Sequence, residues 1–264
     1  MRGPVTLGVF EFVSFGIKQA WACLFGGLML ALLLATFLWY PADAALARYD
    51  FLTLAALAIQ VALIASKLES WEEAKVIAAF HVVGTVMEIF KTYAGSWVYP
   101  EESLLRIAGV PLFSGFMYAA VGSYIIQAWR ILDVRIIHHP PYWMATLVAL
   151  AIYLNFFTHH YIGDYRWYIA ALAIGLYARA TVIFRPYDRD RKMPMLLAFV
   201  LIGFFIWLAE NISTFFSVWQ FPDQLGAWST VHIGKWSSWT LVIIMTFTIV
   251  AFLKHIRATI HIPK

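Results

Sequence analysis

Cysteine is nearly absent. Cys23 is the only one in 264 residues, which excludes an intrachain disulfide and a thiolate-built metal site. Charge is scarce too. Asp, Glu, Lys and Arg make up 13% of the chain while 62% is hydrophobic, against about 25% charged and 45–50% apolar in a soluble domain. A single globule of this length has no interior large enough to hide that much apolar surface. An ordinary water-soluble domain is therefore excluded, and the chain reads as a multi-pass membrane protein. Also missing are a glycine-rich phosphate loop, HExxH and Gly-x-Ser-x-Gly, so nothing points to nucleotide, zinc-protease or serine-hydrolase chemistry. No cofactor is implied. The net charge of +4 calls for no nucleic acid, because basic residues collect in the cytoplasmic loops of membrane proteins.

What the chain has is long apolar runs. A spanning helix needs about 20 of them in succession. The candidates are 20–40, 51–66, 76–95, 105–129, 143–158, 167–184, 195–218 and 228–253. The expected fold is thus all-α, with roughly eight transmembrane helices in one polytopic domain, 1–264. The first run is longer than the apolar core of a signal peptide, so it is read as retained despite Ala42-Asp43-Ala44, which mimics a cleavage site. Residues 1–18 read either as an interfacial helix or as an inward extension of the first span. Fourteen of the 19 Lys and Arg residues fall on one side of this arrangement. They run from Arg2, through the dense loop RPYDRDRK at 185–192, to Lys254, Arg257 and Lys264. Four fall on the other side, and Lys235 sits inside a span. The positive-inside rule then places both termini in the cytoplasm.

Two stretches share a layout. MEIFKTYAGSWVYPE begins at Met87 and AENISTFFSVWQFPD at Ala209. Aligning Glu88 with Glu210 equates Thr92 with Thr214, Trp97 with Trp219, Tyr99 with Phe221, Pro100 with Pro222 and Glu101 with Asp223. This pattern implies a four-plus-four parallel duplication, with halves of about 19–133 and 141–257, and repeats of that kind often hold their site between the halves. Both Trp-x-aromatic-Pro motifs fall on the non-cytoplasmic side, where Pro is expected to end the helix. Nine residues of helix at about 1.5 Å each then put Glu88 and Glu210 roughly 13 Å inward, near mid-depth.

A charged carboxylate at that depth costs about 2.5–3.5 kcal/mol, so it needs a partner, a proton or a wet cavity. His81, Lys91 and Thr92 share the helix face of Glu88, and Asn211 and Thr214 flank Glu210. His232 and Lys235 open the last span, and Lys235 is expected to pair with Glu88 or Glu210. Such a set serves two purposes. It staples helices together, or its two acids act as proton donor and acceptor, since unequal surroundings split a carboxylate pair into an acid and a base. On the second reading Glu88, Glu210, Lys235, His81 and His232 form the catalytic set, and Tyr93, Trp97, Tyr99, Asn211, Thr214, Trp219 and Trp236 line a substrate. His160 and Asp164 have the spacing of a metal pair on a helix, but interfacial hydrogen bonding suits that external loop better. Gly26, Gly27, Gly115 and Gly122 are read as helix-packing positions.

WLAENISTFFSVWQFPDQ with WSTVHIGKWSSW (207–239), and HVVGTVMEIFKTYAGSWVYPE (81–101), closely resemble a YoaT-like family of uncharacterised bacterial integral membrane proteins. That resemblance covers most of the chain and implies a multi-pass inner-membrane protein without an established activity. A fainter resemblance is to the heterodimer-type lycopene cyclases and carotenoid hydratases. It rests on Glu88, Trp97, Tyr99, Pro100, Glu101, Glu102 and GVPLF at 109–113, and the second half departs from it at Asp223-Gln224. It implies a membrane enzyme protonating an isoprenoid C=C bond. The runner-up reading is a proton-coupled carrier of small molecules, and beyond it a structural or assembly protein. The partners expected are the bilayer and a lipophilic small molecule.

Overall fold

A computed structural model describes residues 4–260, with side chains over 8–252. The sequence-based assignments of Arg2, Lys254, Arg257 and Lys264 to the basic side fall outside these side chains. Among the described residues the α-helices are α1 (Pro4–Ala22), α2 (Leu24–Trp39), α3 (Arg48–Ala65), α4 (Trp71–Tyr93), α5 (Phe113–Ile131), α6 (Tyr142–Thr158), α7 (Arg166–Tyr177), α8 (Met195–Phe215) and α9 (Gly234–Ile260). Five short strands accompany them: β1 (Arg106–Ile107), β2 (Val110–Pro111), β3 (Arg135–Ile137), β4 (Thr181–Phe184) and β5 (Arg191–Pro194). By length and composition α3, α8 and α9 qualify as membrane spans, and α1 with α2 supplies a fourth if the broken pair counts as one.

Each of the eight apolar runs carries a helix, but four runs depart from continuous spans, run 228–253 because it is a loop up to Gly234, which leaves His232 outside the helix. Run 20–40 breaks at Cys23, between α1 and α2. Run 105–129 begins with the β1–β2 hairpin, turned at Gly109 with φ +82°. Run 167–184 stops being helical at Tyr177, and its apolar tail Thr181–Phe184 becomes the middle strand of a β3-β4-β5 sheet. An apolar tail of β-branched residues satisfies a length test for spans as well as a strand does.

The chain forms two compact units. One comprises residues 1–23, 125–205 and 234–264. Here α6 packs on α9 and α7, and Tyr177 donates or accepts a hydrogen bond with Thr248 at 3.2 Å. Trp129 stacks flat on Phe247. The antiparallel sheet is clamped by Asp190, which accepts from Arg185 and Arg135. Those two guanidiniums, Arg185 first, hold the Asp190 carboxyl below its ordinary range. The clamp therefore persists at neutral pH and is lost only as pH falls through that depressed value.

The other unit comprises 24–124 and 206–233. Its α4 starts with a capping box, Ser70 and Glu73 each bonding the other's backbone N–H. The α4–α5 contact is made close by glycine. A Cβ on Gly84 would lie 2.6 Å from Cβ of Tyr118, and one on Gly122 would meet Phe80, as one on Gly115 would meet His81. A Cβ on Gly26 would make only ordinary contact with Ala120, at 3.5 Å, and one on Gly27 would meet open space, so neither is needed for close packing. Because the obstruction at Gly84 is the root of a side chain and not its flexible tip, Gly84→Leu is expected to push α5 away at a cost of about 1–3 kcal/mol. Thermal unfolding in detergent reads this directly.

Helices α4 and α8 end alike. In α4, Ser96 N–H bonds the Lys91 carbonyl and Gly95 N–H the Thr92 carbonyl, with Gly95 at φ +69°. In α8, Val218 N–H bonds Ser213 and Ser217 N–H bonds Thr214, with Ser217 at φ +53°. Both are Schellman closures, and the second places a non-glycine residue in the left-handed region. The helices therefore stop at Tyr93 and Phe215, well before Pro100 and Pro222. This corrects the expectation that the prolines end them. It also corrects the 13 Å depth, because the chain beyond the cap turns back instead of running on.

Candidate polar site in the second unit

The reversal after α4 carries two side chains back to the helix they left. Trp97 Nε1 donates to Glu88 Oε2 at 2.7 Å, and Tyr99 Oη donates to the same oxygen at 2.6 Å. From α5, Tyr118 Oη donates to Glu88 Oε1 at 2.9 Å. Glu88 is only 3% exposed. An ionised carboxylate is purely an acceptor, and three converging donors suit that form. Desolvation, then the Glu88 charge, push the Tyr99 hydroxyl well above the ordinary phenol range, which keeps its proton in place for donation.

Glu210, on α8, belongs to the same unit and is 7% exposed. Its charge acts on the Tyr118 hydroxyl, the group that also holds Glu88. One phenol thus bonds Glu88 and feels the charge of Glu210. Their surroundings differ, however. The residues 122 positions after Tyr99 and Tyr118 are Phe221 and Thr240, so neither phenolic donor recurs at that spacing.

The residues around Glu210 tie a loop to α8. Asn211 Nδ2 donates to the Trp207 carbonyl, and its Oδ1 accepts from Val231 N–H at 2.9 Å. Thr214 Oγ1 accepts from Trp228 Nε1 at 3.2 Å and from Gln224 Nε2 at 3.4 Å, and itself bonds the Asn211 carbonyl. Gln224 Nε2 also reaches the Ser229 carbonyl at 2.6 Å.

The two Trp-x-aromatic-Pro motifs meet each other. Val98 and Gln220, the central residues, exchange both backbone hydrogen bonds at 2.9 Å as an isolated antiparallel bridge. Trp97 packs edge-on to Phe221, with centroids 5.9 Å apart. Beneath them the start of α3 anchors both loops. Arg48 pairs with Glu101 at 2.6 Å, Tyr49 Oη bonds the Val218 carbonyl, and Asp50 accepts from Leu104 and Leu105 N–H. Val98→Pro removes one N–H of the bridge, so we expect faster proteolysis of the 94–100 and 216–221 loops with helix content unchanged. Limited digestion with circular dichroism checks both halves of that expectation.

Of the residues named from sequence, Glu88, Glu210, Trp97 and Tyr99 belong to this unit's polar core, and Asn211 and Thr214 support it. Trp219 is buried beside the bridge. His81 lies on α4 against Phe116, with ring centroids 4.2 Å apart. Tyr93 is 86% exposed and His232 is exposed in the loop before α9. Lys235 and Trp236 open α9 in the other unit, where Trp236 Nε1 bonds the Val200 carbonyl. Asp164 accepts from Asn155 and from Arg166 N–H. Tyr118 is the participant that sequence reasoning missed. Its signal is its position between Gly115 and Gly122, at helical spacing on the face that meets α4.

A family described as "Protein of unknown function (DUF817)" matches residues 11–247. The chain belongs to this family. It is 46% identical over 247 residues to the Uncharacterized protein YoaT of Bacillus subtilis (strain 168), a match covering 94% of this chain and 93% of that protein. No solved structure matches it significantly. The family match spans both units, and therefore both Glu-bearing helices together with Tyr118.

Proposed function

We propose that this is a multi-pass protein of the bacterial inner membrane, termini cytoplasmic, whose second unit performs acid/base chemistry on a lipophilic, isoprenoid-type substrate. One observation carries the reading: the Tyr118 hydroxyl, bonded to the buried Glu88, also lies in the field of the buried Glu210. Glu88, held by three donors, is suited to the base. Glu210, buried on α8, is assigned the acid. Glu210 would protonate a C=C bond, ring faces of Trp97 and Phe221 would stabilise the cation, and the Glu88–Tyr118 pair would take a proton from a neighbouring carbon. Transfer across Tyr118 then returns the proton to Glu210. His81 fits as an auxiliary proton carrier on α4.

The four-plus-four duplication is part of the same proposal. It is supported by the matching caps of α4 and α8 and by the reciprocal Val98–Gln220 bridge, since self-complementary contact is what a two-fold relation between equivalent segments produces. One polytopic domain is the companion reading, because α5 and α8 each contribute residues to both units.

The experiment is lipid mass spectrometry on membranes carrying wild type, Glu210→Gln or Glu88→Gln. A lipid that accumulates only with the variants identifies the substrate, and identical extracts refute the enzyme reading. The same two-acid relay also suits a proton-coupled carrier. Solute uptake by proteoliposomes driven by a pH step, with unaltered lipid, would select that alternative.

A further inference from the structure

Helix α1 is inside out. Glu11, Ser14, Phe15, Lys18, Gln19 and Ala22 recur at helical spacing on its covered side. Val9, Phe12, Val13, Ile17 and Trp21 recur at the same spacing on its open side, with Phe12 78% exposed. A helix of a water-soluble protein shows the reverse, its apolar stripe facing inward. The inner face is fastened to the β4–β5 hairpin within the same unit. Arg191 forms an ion pair with Glu11, Ser14 Oγ donates to the Pro186 carbonyl at 2.6 Å, and Lys18 Nζ donates to the Arg185 carbonyl at 2.9 Å. Phe15 packs on Phe184, with ring centroids 5.6 Å apart.

These contacts fix a depth. Residues 11 to 18 run alongside a hairpin whose tip, Arg185–Arg191, is charged and exposed, so this length of α1 cannot enter the hydrocarbon while it stays fastened. Its outer face is too apolar for water. A place that satisfies both is the boundary between headgroups and acyl chains, with the helix axis in the membrane plane. With the exposed Asp188 counted, the hairpin region still carries an excess of cation. Arg135 and Arg185 are matched by Asp190 and Asp133, and Arg191 by Glu11. Exposed Arg179, Arg189 and Lys192 have no acidic partner among the described residues.

We propose that α1 and the β4–β5 hairpin together form a docking surface for anionic lipid. The apolar face of α1 is seated at the acyl boundary, and Arg179, Arg189 and Lys192 engage phosphate headgroups. Attraction of this kind grows with each added Lys or Arg near the surface.

The lone exposed cysteine makes the test direct. In a Cys23→Ser background, spin labels are placed one at a time through Phe12→Cys and Ile17→Cys, both open positions. The full-length protein is reconstituted in nanodiscs of phosphatidylcholine with phosphatidylglycerol. Collision with oxygen and with a nickel chelate then reports depth. Equal, shallow immersion of both labels is expected. A depth difference near the roughly 7 Å that five residues of a spanning helix produce would overturn the in-plane placement. Immobile labels closed to both reagents would assign the face to a second copy or another protein, which also overturns it. The headgroup half is read by native mass spectrometry of lipids retained from an equal mixture. Wild type is expected to retain phosphatidylglycerol several-fold over phosphatidylcholine, and the combined Arg179→Glu, Arg189→Glu and Lys192→Glu variant to lose that preference. Equal retention by wild type and variant refutes the cation assignment. None of these readouts depends on the acid/base chemistry proposed for the other unit.

Discussion

Glu88→Ala is expected to lower the thermal midpoint in detergent by about 10 °C. The carboxylate accepts from Trp97, Tyr99 and Tyr118, which come from the α4–α5 loop and from α5. Removing it leaves three donors without that acceptor, at about 1–3 kcal/mol for each that water does not rescue. Even the low end sums to roughly 3 kcal/mol, and a chain of this size loses about 2–4 °C per kcal/mol. Glu88→Gln should lose less, because its amide oxygen still accepts while its NH2 faces donors. The ordering wild type, Gln, Ala is therefore the signature. Differential scanning calorimetry or dye-monitored unfolding checks it, and a midpoint unmoved in the Ala variant would mean that the carboxylate does not organise the loop. The tryptophan emission of Trp97 should shift in the same order.

The second large effect is on function. If the proposed acid/base chemistry is correct, Glu210→Gln should lower turnover sharply while leaving the thermal midpoint within a few degrees of wild type. Positioned acid/base groups contribute about 10²–10⁴-fold, so a loss within that range is expected. Tyr118→Phe should lose rate as well, because it removes the hydroxyl that bonds Glu88 in the field of Glu210, and should cost part of the stability that Glu88→Ala costs. If Tyr118→Phe retained full rate, the two acids would not be coupled through the phenol. If Glu210→Gln lowered the midpoint as far as Glu88→Ala with no change in membrane lipids, both acids would be staples of the fold. The contrast between one variant that unfolds and one that folds without turnover separates chemistry from architecture.

The sequence by itself determined what depends on composition and on local period. The apolar excess, the eight apolar runs and the oddity of Glu88 within one of them follow from residue type and spacing, because burial of apolar surface and the cost of an isolated buried charge need no tertiary detail. The shared layout of the stretches around Glu88 and Glu210 was equally legible, as rare residue types at equal spacing. Where α4 and α8 stop was not. Their last turns are closed by backbone bonds at Gly95 and Ser217, and a serine in the left-handed region leaves no mark on an apolar pattern. From that one feature follows the return of Trp97 and Tyr99 to Glu88, which helical arithmetic alone had set far apart. Tyr118 joined the site only through packing. Its ring reaches Glu88 because Gly84 has no Cβ to hold α5 away, and the distance between two helices is decided by both surfaces at once. The placement of α1 has the same origin. Its alternation of polar and apolar faces is written in the sequence, but which face is covered was decided by the hairpin folded against Glu11, Ser14 and Lys18.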